Sequence, residues 1–228
     1  LNSDYLGERA KLIDPSQSMK VAKPGTLNNT QADAQGTNVS VAYPSTSHFA
    51  IVDAEGRVVS MTTSVEAPFG SHLMAGGMIL NNQLTDFSFV PEEDGKPVAN
   101  AVAPGKRPMS AMDPVIVFDK DGDFYAALGS PGGSRIIGYV TQALVAVLDW
   151  KMDMQSAFDQ PRFLDRNGPL EIEEGTSLEK LIPDLKALGH DVLPEKINSG
   201  LHGIRVTPDG LDGGADPRRE GKAIGGML

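Results

Sequence analysis

TSHFAIVDAEGRVVSMTTSV, residues 46–65, sets the architecture of this chain. Two runs rich in β-branched residues flank the sequence AEG, and this pattern predicts a β-hairpin around a glycine-containing turn. The strand pattern begins at Thr46 without a turn, cap or charge before it, and the preceding residues 21–45 are polar and carry no apolar period. The position of Thr46 at the head of a strand is therefore the first feature that needs an explanation.

A threonine at the start of a strand has one special chemical use. Its hydroxyl is a weak nucleophile unless a base lies beside it, and its own α-amine can be that base once the preceding peptide bond is cut. A free α-amine titrates near ~7.7–8.0, which suits proton transfer at neutral pH. Residues 14–45 have the form of a flexible connection before such a residue. On this feature alone, a threonine that simply begins a strand is the commoner explanation.

Periodicity predicts the other elements. Apolar spacing predicts helices over residues 4–13, over 134–150, and from Thr176 to near Gly189, the last with a capping box and with Pro183 kinking it or shifting its start. Strand patterns predict a third strand at GMILNN (77–82) and a second hairpin formed by PVIVFDK (114–120) and FYAALGS (124–130). Strand pairs combined with helices predict a layered α+β architecture.

Composition excludes several classes of function. The 228 residues are enough for one substantial core, and the net charge of −10 argues against a nucleic-acid or anionic-membrane partner. The chain has no cysteine, and its four histidines lack metal-ligand spacing, so we expect no thiol chemistry, no metal and no cofactor. The start at Leu1, within a helical pattern, is what we expect of a piece of a longer protein.

The stretch GSPGGSR, residues 129–135, lies between a predicted strand and the long helix. Its glycines place free backbone amides at a helix N-terminus, which favours an anion. An oxyanion hole for acyl transfer needs this geometry, and a phosphate site is another interpretation, although the lysine of a P-loop is missing. A tight turn with Ser134 as the helix N-cap remains a third.

Polar side chains also crowd LNNQLTDFS, residues 80–88. Gln83 and Asp86 are suited to hold a substrate ammonium group, because an amide oxygen and a carboxylate accept its hydrogen bonds. The same residues equally suit a turn with Asp86 as a helix cap. Ser110, in the loop 104–114 before a buried strand, stands where ligand contacts are common and where ordinary surface loops also occur.

Seven motifs occur in the order found in one enzyme family: TSHFAIVD, LNNQLTDFS, GKRPMSAM, GSPGGSRI, QPRF, SGLHGI and DPRREG. From Thr46 to about Gly225 the chain resembles the catalytic small subunit of the γ-glutamyltransferases, members of the N-terminal-nucleophile hydrolase superfamily. Residues 1–45 resemble the end of the large subunit, so we expect domains at 1–45 and 46–228. The resemblance implies the four-layer αββα sandwich of this superfamily, of which this chain supplies about half.

The resemblance also implies roles for particular residues. The precursor cuts itself at the Ser45–Thr46 bond, and Thr46 then forms a γ-glutamyl ester. The remaining implied positions are Gly132 and Gly133 as oxyanion donors, Ser64 in support of the nucleophile, Gln83 and Asp86 on the donor's α-amino group, Ser110 on its α-carboxylate, and Glu66 at the donor site.

Three departures from the family pattern concern the donor pocket. Glu66 replaces the usual asparagine, and Ala111 stands where a second serine is typical. The segment between Phe87 and Lys106 is shorter than in members with a lid, which predicts an open site.

The implied function is hydrolysis or transfer of γ-glutamyl groups from glutathione-like donors to water, an amino acid or a peptide. Gln83 and Asp86 favour a donor with an α-amine. The alternatives are a glutaryl or cephalosporin acylase, a poly-γ-glutamate-processing relative, or an inactive fragment that lacks the large subunit.

The expected partner is that large subunit, the upstream half of the precursor, which in the family also carries the arginine that clamps the donor α-carboxylate. Without it, an apolar sheet face or edge should be exposed. The expected location is periplasmic or secreted, with the cytoplasm left open.

Overall fold

The computed structural model describes residues 2–25 and 45–226. The chain divides into two compact units, Leu1–Ala34 with Pro161–Ile197, and Gln35–Gln160 with Asn198–Leu228. The predicted boundary between residues 45 and 46 is a cleavage boundary and stays a prediction. Residues 26–44 of the predicted flexible connection lie outside the described ranges.

The helices are α1 (Ser3–Ala10), α2 (Ile136–Leu148), α3 (Met154–Asp159) and α4 (Ile182–Ala187). The strands are β1 (Thr46–Val52), β2 (Val58–Ser64), β3 (Met74–Ala75), β4 (Met78–Ile79), β5 (Glu92–Glu93), β6 (Lys96–Pro97), β7 (Val115–Phe118), β8 (Phe124–Gly129), β9 (Phe163–Asp165), β10 (Leu170–Glu173), β11 (Val192–Glu195), β12 (His202–Thr207) and β13 (Gly210–Ala215). Short 3₁₀ helices cover Gln83–Asp86, Gly133–Arg135 and Ser177–Leu181.

The two largest antiparallel assemblies of the second unit are the β1–β2 hairpin and a four-stranded sheet. Strands β1 and β2 pair as the predicted hairpin, in a register that sets Thr46 opposite Ser64 and Val52 opposite Val58. The predicted second hairpin, β7–β8, is also confirmed, and it joins a four-stranded sheet of order β13-β12-β8-β7. Strands β12 and β13 were not predicted from the sequence.

The two faces of the four-stranded sheet carry different layers. A Cβ added to Gly129 of β8 would meet the ring of His48 on β1, whereas a Cβ added to Gly203 of β12 would meet Met154 on α3. Gly129 pairs with His202, the neighbour of Gly203, so these two contacts point to opposite faces. The unit therefore stacks a helical layer, the four-stranded sheet and the β1–β2 hairpin.

The outer face of the β1–β2 hairpin is apolar and exposed. Its side chains Phe49, Ile51, Val59 and Met61 are 38–51% exposed, while the inward positions Thr46 and His48 are buried. The expectation of an exposed apolar sheet face is confirmed within the described residues.

The first unit contains α1 and a separate three-stranded sheet of order β11-β10-β9. Its core consists of Leu170, Ile172 and Val192, with Leu178, Ile182 and Leu185 packed against it. Thr176 caps the predicted third helix by accepting a hydrogen bond from the Leu178 N–H at 3.4 Å. The helix begins as a 3₁₀ turn and becomes α-helical only at Ile182, because Pro183 fits the first turn of α4.

Two predicted elements differ from the structure. GMILNN forms only the two-residue strand β4, which pairs with β3 in an exposed hairpin, because Gly76 and Gly77 adopt positive φ values of 57° and 80° and turn the chain there. The long helix α2 starts at Ile136, and its N-cap residue Arg135 makes no side-chain capping bond. The interpretation of Ser134 as N-cap was therefore wrong, because a 3₁₀ turn over Gly133–Arg135 comes first.

Candidate active site

Thr46 is the first residue of β1 and only 6% exposed. Because strand residues alternate between faces, Thr46 and His48 point inward, toward the four-stranded sheet. The hydroxyl of Thr46 donates a hydrogen bond to Ser64 Oγ, its cross-strand partner, at 3.2 Å. The predicted nucleophile and its predicted supporting residue are therefore in direct contact.

Ser64 also connects the nucleophile to the predicted cleavage site. Its hydroxyl donates to the carbonyl oxygen of Ser45 at 3.2 Å and accepts from the Glu66 N–H at 2.9 Å. The carbonyl of the Ser45–Thr46 bond is thus polarised by a hydroxyl that itself contacts the Thr46 hydroxyl. Such a donor favours charge development on that carbonyl oxygen.

The turn after β8 carries the predicted oxyanion donors. Gly132 and Gly133 have φ values of 143° and 61°, which L side chains rarely adopt. A Cβ on Gly132 would also lie 2.6 Å from Tyr139 Cε2. This unusual backbone leads directly into α2, so its amides stand at a helical N-terminus as predicted. Strand β8 packs on β1, and the ring of His48 lies against Gly129.

Three predicted substrate-binding residues lie close to Ser64. Gln83 Nε2 donates to the Ser64 carbonyl at 3.2 Å. Glu66 is 9% exposed and has a positive φ of 76°, which costs a residue with a side chain backbone strain. Asp86 hydrogen-bonds to Glu66, and burial together with the Glu66 charge raises the pKa of Asp86 to about 6. The neighbouring negative charge makes ionisation of Asp86 less favourable.

Ser110 is connected to Asp86 indirectly, through Met109 and Asn100. It lies in an exposed loop, where its hydroxyl accepts the Met112 N–H at 3.1 Å. The preceding Met109 donates its N–H to Asn100 Oδ1, and Asn100 Nδ2 donates to the Asp86 carbonyl at 2.6 Å. The buried Asn100 side chain, which sequence reasoning missed, thereby ties the Ser110 loop to Asp86.

Sequence reasoning also missed His48. Its Nδ1 lies 2.9 Å from Thr62 Oγ1, while its Nε2 is buried without a hydrogen-bond partner among the described residues. Burial, with a smaller contribution from His202, lowers the pKa of His48 to about 4. The ring is therefore neutral at neutral pH and acts as a packed spacer between β1 and β8. Its alternation with Thr46 on β1 was the signal that could have found it.

Arg219 is the third residue that was missed. Its Nη1 donates to the carbonyl oxygen of Thr46 at 3.4 Å, and its Nε donates to the carbonyl of Asn198 at 2.7 Å. The motif DPRREG contains this arginine, but 173 residues separate it from Thr46, so no local pattern connects the two.

The described ranges lack metal-binding clusters and membrane-spanning helices. Residues 2–25 and 45–226 contain no group of three or more His, Cys, Asp or Glu side chains that could hold a metal ion. No helix there is long and apolar enough to cross a membrane.

A comparison with models of protein families assigns the chain to one family. The model of γ-glutamyltranspeptidase matches residues 1–226. The chain belongs to the γ-glutamyltranspeptidase family. It is 40% identical over 239 residues to the glutathione hydrolase proenzyme of Escherichia coli K12, a match that covers 95% of this chain and 40% of that protein. The chain thus spans about two fifths of the length of this relative.

Solved structures show the same fold. An acivicin-inhibited γ-glutamyltranspeptidase superposes with a TM-score of 0.68 and 33% identity, over 76% of this chain and 98% of that chain. A cephalosporin acylase from Bacillus halodurans has a TM-score of 0.78 and 25% identity, over 100% of this chain and 39% of that chain. The mixed helices and sheets of this chain are therefore those of the γ-glutamyltranspeptidases and acylases, which are N-terminal-nucleophile hydrolases.

Proposed function

We propose that this chain carries the catalytic threonine of a γ-glutamyltransferase that also hydrolyses its donors. The observation that carries the proposal is the contact of Thr46 with Ser64, whose hydroxyl also reaches the carbonyl of Ser45. A strand-initial threonine packed in this way is placed to attack the peptide bond before it, and then an external amide.

The first step is self-cleavage. The Thr46 hydroxyl oxygen adds to the Ser45 carbonyl carbon, the C–N bond breaks, and the proton of the hydroxyl passes to the nitrogen. The product is an ester between Ser45 and the Thr46 side chain. Water hydrolyses this ester, which leaves a Ser45 carboxylate and a free α-amine on Thr46. Ser64 stabilises the oxyanion that forms on the Ser45 oxygen.

The second step is acyl transfer. The freed α-amine accepts the hydroxyl proton of Thr46 as the oxygen attacks the γ-carbonyl of the donor, and the amides of Gly132 and Gly133 bind the oxyanion. The leaving amine takes the proton, and a γ-glutamyl ester remains on Thr46. Water then completes hydrolysis, or the amine of an amino acid or peptide completes transfer.

The donor site favours a γ-glutamyl group. Gln83, Asp86 and Glu66 converge near Ser64, and two carboxyl groups suit the α-ammonium of such a donor. Ser110 is assigned to the donor's α-carboxylate. The second candidate is a glutaryl acylase activity, since Asp86 in its protonated form does not require an ammonium group on the donor and the cephalosporin acylase of B. halodurans has the same fold.

The match covers 40% of the length of the E. coli relative, and the proposed partner of this chain corresponds to the other 60%. We assign an upstream large subunit to the exposed apolar face of the β1–β2 hairpin, where it would complete the four-layer αββα sandwich. A groove of about 750 Å³ between β1 and β12–β13, bordered by residues 222–226, adjoins this face. The boundary at residues 45 and 46 separates the two subunits in this proposal.

The proposed periplasmic or secreted location rests on the family resemblance alone, and cell fractionation tests it.

The test of function compares two donors on the mature two-chain enzyme. γ-Glutamyl-p-nitroanilide should be turned over faster than glutaryl-p-nitroanilide, and Thr46→Ala should abolish turnover of both. Thr46→Ser keeps a hydroxyl and should retain measurable activity. Faster turnover of the glutaryl donor would favour the acylase, and full activity of Thr46→Ala would refute the proposed nucleophile.

A further inference from the structure

Arg219 is the charged residue whose side chain reaches the backbone of the nucleophile. Its guanidinium donates to the Thr46 carbonyl at 3.4 Å and to the Asn198 carbonyl at 2.7 Å. Burial lowers the pKa of Arg219, while Tyr139 and Asp216 oppose this shift. The guanidinium is thus partly withdrawn from water. Its charge acts more strongly on its neighbours in the protein interior than it would in water, because the dielectric constant there is lower.

The surrounding chain holds this side chain in place. A Cβ on Gly200 would lie 2.9 Å from Arg219 Cδ and 2.7 Å from Pro131 Cγ. Arg219 therefore packs on the loop 198–200, which in turn packs on the residue just before Gly132. One side chain consequently links the nucleophile strand with the turn that carries the oxyanion donors.

Among the described residues, none forms a direct ion pair with Arg219 that would cancel its positive charge. Within the described ranges its hydrogen bonds go to backbone carbonyls. Asp216 interacts electrostatically with Arg219 without a hydrogen bond between the two side chains. The Asp216 carboxylate accepts hydrogen bonds from Arg218 Nη1 at 3.0 Å and from Ser199 Oγ at 2.5 Å. The charge of Arg219 therefore acts on the backbone of Thr46.

We propose that Arg219 is a positioning residue that orients Thr46 through its carbonyl and, by its positive charge, keeps the freed α-amine of Thr46 uncharged at neutral pH. The inference rests on the proposed function, because that amine exists only after cleavage at Ser45–Thr46. The carbonyl oxygen and the amine of one residue are about 3 Å apart, so the guanidinium lies within about 7 Å of the amine. A cation at this range disfavours protonation and leaves the amine free to act as a base.

Other ionisable groups also lie on the elements packed around Thr46. They are His48 on β1, His202 and the Arg205–Asp212 ion pair on β12–β13, Tyr125 on β8, Tyr139 on α2, Asp216 before Arg219, and the Glu66 and Asp86 carboxyl groups beyond Ser64. His48 is neutral at neutral pH. The two carboxyl groups would favour a charged amine, so the effect of Arg219 opposes theirs.

The experiment measures the pH dependence of inactivation by a sulfonyl fluoride. The Thr46 hydroxyl oxygen attacks the sulfur of this reagent and expels fluoride. The reagent has no ammonium group, so recognition of a donor ammonium by Glu66 and Asp86 does not enter the readout. Arg219→Met should move the acid-side midpoint upward by about 0.5–1 pH unit. Arg219→Lys keeps the charge and should leave the midpoint within about 0.2 unit of the parent enzyme, even if the rate falls.

The matched control is Arg57→Met, which removes one positive charge from the exposed tip of the β1–β2 hairpin. It should leave the midpoint unchanged. An unchanged midpoint in Arg219→Met, or equal shifts in the Met and Lys variants, would overturn the inference. If Arg219→Met is not cut, the same titration on separately expressed and associated chains, the second starting at Thr46, gives the result.

Turnover of γ-glutamyl-p-nitroanilide by the parent enzyme is measured in parallel. Absent turnover with a normal sulfonyl fluoride profile would refute the proposed donor and leave the role of Arg219 intact. Normal turnover with an unchanged Arg219→Met midpoint would refute the role of Arg219 alone.

Discussion

At the scale of single residues, we expect Glu66 and Asp86 to set the pH dependence of donor binding. Burial and the neighbouring Glu66 raise the pKa of Asp86 to about 6, so ionised Asp86 accumulates as the pH rises through that value. Only the ionised carboxylate attracts an ammonium group. We expect the KM of a γ-glutamyl donor to rise on acidification below about 6, whereas the KM of a glutaryl donor should not.

Glu66→Gln is the matched variant for this prediction. The amide removes the like charge and can donate a hydrogen bond to Asp86, so the pKa of Asp86 should fall. The acid-side rise in KM should then move to lower pH in steady-state measurements. A midpoint that stays where it was would contradict the pairing of the two carboxyl groups.

A second prediction at the scale of single residues concerns Gly129. A Cβ there would lie 2.4 Å from His48 Cε1, so Gly129→Ala must displace a buried ring. Overpacking of this kind costs about 1–3 kcal/mol in the free energy of unfolding. Denaturant titration should show the loss in Gly129→Ala and a smaller incremental loss when the alanine is added to His48→Ala.

The control is Gly168→Ala, where no atom lies within 4 Å of the added Cβ. It should be close to neutral, within about 0.5 kcal/mol. If Gly129→Ala were as harmless in the parent protein, the contact between β1 and β8 through His48 would not exist as described.

At the scale of elements, the β1–β2 hairpin has an outer face without a partner in the described residues. Ile51, the most exposed of its four apolar side chains, is 51% exposed. Ile51→Lys should weaken association with the upstream subunit at least about tenfold, because a charge would be buried without a partner. Co-purification of separately tagged subunits measures this effect.

Glu55→Lys adds the same lysine at the exposed hairpin tip and removes only a surface ion pair with Arg57, which is worth little. It should leave association unchanged. Equal losses in the two variants would point to a general charge effect rather than to a docking face.

Some elements could be predicted because their patterns are local. The β1–β2 and β7–β8 hairpins alternate β-branched residues around glycine turns, and the sequence is sufficient to find them. Strand β13 reads GLDGGA, which has no apolar alternation. Its glycines are used for close packing, since a Cβ on Gly214 would lie 2.9 Å from Phe158 Cδ2 on α3. Such a strand is recognised only when the packing of α3 against it is known.

At the scale of the whole molecule, the candidate site combines residues from three distant parts of the chain. The resemblance to a family pointed to Thr46, Ser64 and Gln83, and the structure brings these three together. His48 and Arg219 were missed because their partners are set by sheet packing and by the path of the C-terminal segment, neither of which leaves a local pattern.

The most direct test of the account is N-terminal sequencing of the purified precursor, with peptide mass mapping across residues 40–50. We expect a new terminus that reads TSHF, because Thr46 contacts Ser64 and the Ser64 hydroxyl in turn donates to the Ser45 carbonyl. Thr46→Ala should remain uncut under the same conditions. A precursor that hydrolyses γ-glutamyl donors while the Ser45–Thr46 bond stays intact would contradict the central claim.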